Sequence, residues 1–247
     1  MSDTAQANGG FAALRQFVRR PASSGATPSD SPTLRNSPVE VCEMCSKQLA
    51  SSHQHLLDPV SRKMICACDA CAILFSNPGQ TKYKRIPRRI RFLPDFRMTD
   101  SQWDGLMMPI NMAFFFKSTT SSDNTPGDRV IALYPSPAGA TESLLSFDTW
   151  DEIEIENPVL ADMEADVEAL LVNRIGHSRG FTNPEYYIVP IDECFKLVGL
   201  IRSRWNGLSG GTEVWREIGQ FFGELKAKSP HGSNPHGSNM VAETSHA

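Results

Sequence analysis

The residues best suited to chemistry lie between Cys42 and Cys71, a stretch that holds five of the six cysteines of this 247-residue chain. They include two Cys-x-x-Cys pairs, Cys42/Cys45 and Cys68/Cys71, separated by twenty-two residues. A Cys-x-x-Cys turn directs two thiolates at one metal ion, and a second pair completes a tetrahedron. The spacing therefore predicts one structural zinc site bound by these four cysteines.

The stretch contains more donors than one zinc ion needs. Cys66 lies two residues before Cys68, and His53 and His55 alternate, so that in a strand both would face the same side. Two alternatives stay open: Cys66 replaces Cys68, or one histidine joins the site. The other interpretation makes Cys66 a small buried hydrophobic residue and the histidines surface or neighbouring groups. Two Cys-x-x-Cys pairs also suit iron or an iron–sulfur cluster, which is the alternative to zinc.

The elements around the cysteines predict how they are positioned. Segments 53–57 and 62–66 suit two strands of a hairpin, with Asp58-Pro59-Val60-Ser61 as its turn. Residues 69–75 suit a short helix that ends before Pro78-Gly79. A cysteine turn, a hairpin and a helix whose start carries two cysteines resemble a treble-clef zinc finger. We therefore expect a metal-binding module over residues 40–80.

The rest of the chain predicts one mixed α+β domain over residues 83–228, so the expected fold class is α+β. Thr99 suits the N-cap of a short helix and Thr212 the N-cap of the last one. Residues 135–143 contain two prolines and a glycine, which favours a loop. Strands are expected at 110–116, 130–134, 167–175 and 186–189, and two amphipathic helices at 191–205 and 212–225.

Composition and charge predict an ordinary globular protein. The net charge is −4, with 40% hydrophobic and 21% charged residues. No run approaches the eighteen apolar residues of a membrane-spanning helix. Five clustered cysteines and a separate Cys194 do not suggest a disulfide framework and suit a reducing compartment. The pair Arg19-Arg20 lacks the apolar region of an export signal, so we expect the cytoplasm.

The two ends of the chain predict a short helix, a flexible linker and a disordered tail. Phe11, Leu14, Phe17 and Val18 fall on one face of a short helix. This helix either packs on its own protein or docks on a partner. Residues 21–39 are rich in Ser, Pro and Thr and suit a flexible linker, and 229–247 are low in complexity and suit a disordered tail.

Residues 82–91 form a basic segment, with six Lys or Arg and no acidic residue. A basic segment beside a zinc module is compatible with nucleic-acid binding. The alternative is a solvated strand at a sheet edge. Residues 142–168 hold ten Asp or Glu and no Lys or Arg, so the two segments either face each other or each face a partner. We expect no nucleic-acid partner.

We find no catalytic constellation in the sequence. The glycines of 207–211 lack the context of a nucleotide fingerprint and suit a helix–helix turn. Ser136 does not lie in a nucleophile elbow, and His177 has no assignable acid. Cys194 falls on the buried stripe of a helix, and Asp192-Glu193 at its start are explained by the helix dipole.

Several longer motifs occur over roughly residues 40–226. They are Cys42-Glu-Met-Cys45, His55-Leu-Leu-Asp58, Cys66-Ala-Cys68-Asp-Ala-Cys71-Ala-Ile-Leu-Phe75, Tyr134-Pro-Ser-Pro-Ala-Gly-Ala-Thr-Glu-Ser143, Asp166-Val-Glu-Ala-Leu-Leu-Val-Asn-Arg174, Ile188-Val-Pro-Ile-Asp-Glu-Cys194 and Gly207-Leu-Ser-Gly-Gly211. These motifs resemble those of a family of uncharacterised bacterial proteins, whose members are often encoded near genes of nickel–iron uptake hydrogenases. The resemblance implies an accessory or maturation role, with a hydrogenase-related protein as partner, and it implies that Cys66 and His55 belong to the family pattern.

Together these features predict a zinc-binding, non-catalytic accessory protein that acts by binding another protein. A redox protein that holds iron or an iron–sulfur cluster is the first alternative. A zinc-finger regulator that binds nucleic acid is the second, and it requires the basic segment to be exposed.

Overall fold

A computed structural model describes residues 40–77, 82–120, 126–177, 180 and 182–229, with side chains left undescribed at 126–128. The helix expected at 11–18, the linker at 21–39 and the tail beyond Ser229 lie outside the described residues. So do Pro78-Gly79, where the first helix was expected to stop.

The fold is a mixed α+β arrangement with two antiparallel sheets, as the sequence predicts. The small sheet has the order β2-β1-β3 and the large one β4-β9-β8-β5-β6-β7. The strands are β1 (Gln54–Asp58), β2 (Lys63–Ala67), β3 (Lys84–Arg85), β4 (Arg91–Phe92), β5 (Met112–Thr120), β6 (Pro126–Ser136), β7 (Gly139–Ser143), β8 (Glu168–Asn173) and β9 (Glu185–Pro190). The helices are α1 (Asp69–Leu74), α2 (Asp100–Gly105), α3 (Phe147–Glu156), α4 (Ile191–Arg204) and α5 (Gly211–Lys228), with a 3-10 helix at Pro158–Asp162.

Both faces of the large sheet are buried. On β5, Phe114 and Phe116 face the core formed with α4 and α5, whereas Phe115 packs on Trp150 of α3 in the opposite core. Successive strand residues point to opposite faces, so the buried strands β5, β8 and β9 must be largely apolar on both faces. This explains why these strands read as continuous apolar runs.

The β1–β2 hairpin lies between two hydrophobic cores and contributes side chains to both. Leu56 and Ile65, paired across the hairpin, pack with the cysteines in a small core of their own. Leu57 and Met64, the next pair, pack against the main core under the large sheet. The hairpin therefore attaches the cysteine module, residues 40–77, to the sheet.

The structure differs from the prediction in several details. The loop expected at 135–143 is wrong, because β6 continues to Ser136 and β7 begins at Gly139. The pairing of β6 with β5 ends at Leu133, so Pro135 lies where its missing N–H costs no ladder hydrogen bond. Thr212 is not the N-cap of α5, which begins one residue earlier after Gly210 at φ 85°.

Other elements confirm the prediction. Thr99 caps α2 in a reciprocal pair with Gln102, and α4 and α5 bury apolar stripes against the sheet. Within the described part of the chain, each helix is too short or too polar to cross a bilayer.

Candidate metal centre

The first cysteine pair lies in a tight turn that precedes β1. The turn is closed by hydrogen bonds from Ser46 N to Cys42 O and from Cys42 N to Lys47 O, both 2.8 Å. Ser46 adopts the left-handed region at φ 61° to complete it. Glu43 N donates to Cys66 O at 2.9 Å, which fixes the turn to β2.

The second pair lies at the start of α1. Cys68 is the N-cap residue, with φ −74° and ψ 161°, and its side chain makes no capping hydrogen bond. Cys71 is buried in the first turn of the helix. The sulfur of Cys68 is thus not used to cap the helix, although the residue occupies the capping position.

These two pairs converge, because the Sγ atoms of Cys42, Cys45, Cys68 and Cys71 all lie within 4.8 Å of one another. The Cys45 and Cys68 sulfurs are 3.7 Å apart, and all four cysteines are free thiols. A tetrahedral ion with bonds of about 2.3 Å to sulfur places its ligands about 3.8 Å apart. The four-sulfur set therefore fits a zinc ion or another ion that prefers thiolates.

The pKa values of two thiols in the cluster are shifted in opposite directions. Burial opposes ionisation of Cys42, but backbone N–H groups at Cys68, Met44 and Cys45 lower its pKa to about 6. Burial and the neighbouring thiols raise the pKa of Cys71 to about 12. Their surroundings thus favour the thiolate at Cys42 and the protonated thiol at Cys71, and full coordination must displace protons.

The remaining donors form a separate group. Cys66 Sγ, one ring nitrogen of His53 and one of His55 lie within 4.8 Å of one another. Cys66 pairs with His55 across the hairpin, so both point away from the face that carries Leu56 and Ile65. The structure thus groups Cys66 and the histidines apart from the four cysteines.

Sequence reasoning missed a residue that is hydrogen-bonded to this second group. Asp192, in the first turn of α4, accepts a hydrogen bond from His55 Nδ1 at 2.8 Å. The two residues are 137 positions apart. In the sequence, Asp192 was explained by the helix dipole at the start of a predicted helix. No pattern in the sequence links them.

The basic segment faces the acidic one inside the fold. Lys84 Nζ lies 2.7 Å from Asp166, and Arg89 Nε lies 2.5 Å from Glu168. Arg91 Nη1 lies 3.5 Å from Asp162. At these three positions the acids at 162–168 compensate the positive charge within the chain.

Cys194 is buried in the core, and Ser136 and His177 have hydrogen-bond or ion-pair partners within the fold. Cys194 is fully buried in the main core, and burial raises the pKa of its thiol well above the usual value. Ser136 donates to Gly139 O in the β6–β7 turn at 2.9 Å. His177 does have an acid, Asp100, at 3.2 Å from its Nε2, and Asp100 also pairs with Arg174.

A groove opens between the ends of strands β5 and β6 and the pair α4–α5. Its volume is about 740 Å³, and it is lined by Ile110, Tyr134, Ile201, Trp205, Trp215 and Ile218 among others. The indole nitrogens of Trp205 and Trp215 each donate to a backbone carbonyl at 2.9 Å, in Gly207 and Ser209. These bonds anchor both indoles in the α4–α5 turn.

The chain matches a known family model. A family of unknown function, DUF5947, matches residues 41–229, which is most of the chain. The chain belongs to this family. The match confirms the expected membership of an uncharacterised domain family, and it covers the cysteine module and both sheets. No curated protein and no solved structure matches the chain.

Proposed function

We propose that this member of DUF5947 is a zinc protein whose Cys42, Cys45, Cys68 and Cys71 hold one structural ion in a treble-clef-like module, and that it serves as a non-catalytic accessory to another protein. The observation that carries the proposal is the convergence of four sulfurs within 4.8 Å.

The donor set favours a structural role for the metal. Four protein ligands fill a tetrahedral ion and leave no position for a substrate or water. The ion would join the turn at 42–45 to the start of α1, two segments that share a small core of seven buried residues. A core of that size supplies little stability of its own, and structural zinc contributes roughly 10 kcal/mol or more to such modules.

The accessory role draws support from the groove and the family resemblance. Tryptophans anchored by their indole N–H groups present rigid apolar rings, which are frequent energetic anchors at protein interfaces. Leu208 projects fully exposed from the same turn. The occupant we propose is an apolar segment of another protein, and the resemblance to proteins encoded beside hydrogenase genes makes a hydrogenase-assembly component the first candidate.

Metal analysis tests the zinc centre. Protein purified without oxygen should contain zinc, and Cys68→Ser should lose metal and become protease-sensitive at 40–77. Cys194→Ser is the matched control, because that thiol lies in the main core and should leave the metal in place. Iron at the cysteine cluster, with a visible absorption band, would replace this assignment with the redox alternative.

Co-purification tests the accessory role. The tagged chain is expressed beside the hydrogenase subunits of its own host, and the complex is isolated. Trp215→Glu should abolish the complex and keep the zinc. Leu144→Glu is the control, since Leu144 is 86% exposed and lies outside the groove. Equal complex formation by both variants would remove the groove from the proposal.

A further inference from the structure

We propose that His53, His55 and Cys66 form a second metal site, which binds one divalent transition ion and keeps a coordination position open. The site differs from the four-cysteine cluster in its donors, in its face of the hairpin and in its chemistry. It holds whether or not the first site contains zinc.

The hairpin register brings the three donors together. His55 and Cys66 are paired residues of β1 and β2, and His53 precedes β1 by one residue with its side chain on the same face. The two imidazole rings meet edge to face, with centroids 4.8 Å apart. One ring nitrogen of each histidine and Cys66 Sγ lie within 4.8 Å of one another.

The hydrogen bonds of His53 determine which nitrogen is free. Its Nδ1 lies 2.9 Å from Ala50 O. A carbonyl oxygen can only accept, so Nδ1 carries the proton and Nε2 of the neutral ring keeps its lone pair. The side chain is 7% exposed, and Nε2 is buried with no hydrogen-bond partner. A buried lone pair without a donor is costly in a native fold, and a metal ion would remove that cost.

His55 has the same orientation by a different partner. Its Nδ1 lies 2.8 Å from Asp192 Oδ2, and Asp192 is 85% buried, with a side-chain exposure of 15%. A carboxylate likewise accepts a hydrogen bond from Nδ1–H, which leaves the lone pair of Nε2 available to a metal ion. Carboxylate or carbonyl partners on the second nitrogen are the usual companions of metal-binding histidines. Both rings therefore carry the proton on Nδ1, and the Nε2 lone pair of each is available to a metal ion.

The donor set defines the ion. Two imidazoles and one thiolate suit borderline divalent ions such as zinc, cobalt, nickel and copper, and do not suit magnesium or calcium. Three protein ligands leave one tetrahedral position for water or an external ligand, as in exchangeable and catalytic zinc sites. Bonded donors would lie about 3.5 Å apart, so a bound ion would draw in any pair of these donors that lies farther apart than that.

Full-length protein, stripped of metal under reducing conditions, provides the test. Titration with Zn²⁺ followed by desalting and metal analysis should give two ions per chain. His53→Ala/Cys66→Ala should bind one. His177→Ala should still bind two, because that histidine lies outside both groups. A wild-type value of one that the double variant leaves unchanged would overturn the proposal.

A positioning variant separates a metal site from a structural cluster. Asp192→Asn keeps an oxygen that accepts from His55 Nδ1 but removes the negative charge. Mutation of such a partner typically lowers metal affinity by about 10–100-fold. Asp192→Asn should therefore lower the affinity for the second Zn²⁺ by that factor and leave the affinity for the first unchanged. This result decides the question even if the double variant fails to fold. Equal affinities in Asp192→Asn and wild type would refute the second site.

The spectrum of Co²⁺ identifies the ligands. The four-cysteine site should give intense thiolate-to-metal bands, and the second equivalent should add a weaker band from one thiolate together with d–d bands of a mixed nitrogen–sulfur site. Cys66→Ala should remove the second thiolate band alone. If the second equivalent shows no thiolate band, Cys66 is not a ligand and the site is not the one proposed.

Discussion

Arg89→Ala is the sharpest test of how the basic segment works. Glu168 has a fully buried side chain, and Arg89 binds both of its oxygens, Nε to Oε1 at 2.5 Å and Nη2 to Oε2 at 2.7 Å. Among the described residues, this carboxylate also accepts a hydrogen bond from the backbone N–H of Glu164, at 2.9 Å. Truncating the arginine leaves a buried negative charge with one donor.

The cost follows from burial. Removing one partner of a fully buried ion pair costs about 3–5 kcal/mol, and because Arg89 is 51% exposed, water partly solvates the stranded charge and about 2–3 kcal/mol remains. Urea unfolding should measure this loss directly. The melting temperature should fall by about 4–12 °C, at roughly 2–4 °C per kcal/mol for a chain of this size.

The controls isolate the charge. Arg88→Ala removes a neighbouring exposed arginine and should change stability by no more than about 0.5 kcal/mol. Glu168→Gln in the Arg89→Ala background removes the stranded charge and should recover part of the loss. If Arg89→Ala is as stable as Arg88→Ala, the pair contributes nothing and the basic segment is free to face a partner.

Three further predictions concern metal, nucleic acid and local stability. Lowering the pH should release the metal, because burial and its thiol neighbours raise the pKa of Cys71 to about 12 and protons then compete for its sulfur; a chromophoric zinc indicator measures this, and release that does not change with pH would contradict it. Duplex DNA should show no tight, salt-sensitive binding in a fluorescence anisotropy assay, whereas each phosphate contact would contribute a slope of about 0.9 in the log–log salt dependence. Thr99→Ala should destabilise the fold by about 1 kcal/mol in thermal melts through loss of the capping box, and a variant as stable as Thr99→Ser would show that the cap adds nothing.

The sequence predicted the parts of the fold that local pattern controls. The Cys-x-x-Cys spacing identified the four sulfurs that converge, and the position of Thr99 identified a helix start. The predicted hairpin strands begin and end one residue early, because Arg62 takes the left-handed region at φ 54° and belongs to the turn. The identity of Arg62 gives no indication of this.

Longer-range features were not predictable from local pattern. The segment 135–143 was expected to be a loop because Pro135 and Gly139 favour loops, yet it contains β7. Pro135 is tolerated in β6 because the pairing of β6 with β5 has ended before it, and local sequence does not reveal where that pairing ends. The partnership of His55 with Asp192 depends on where α4 packs against the hairpin. Alternation indicated that His53 and His55 point together, but the register that places Cys66 opposite His55 comes from the turn geometry.

The strand order of the large sheet determines when its parts can pair during synthesis. β4 pairs with β9, so Phe92 cannot pair before Tyr187 has been synthesised. All four cysteines of the first cluster are present once residue 71 has been added. At about 5–20 residues per second, the roughly 120 residues from α1 to α4 take about 6–24 s. Throughout that interval the cysteine module is complete and the sheet is not, so we expect the nascent chain to capture its first ion before the main core forms. The carboxylate of Asp192 arrives at the end of the interval, and only then does His55 acquire the partner that orients its ring.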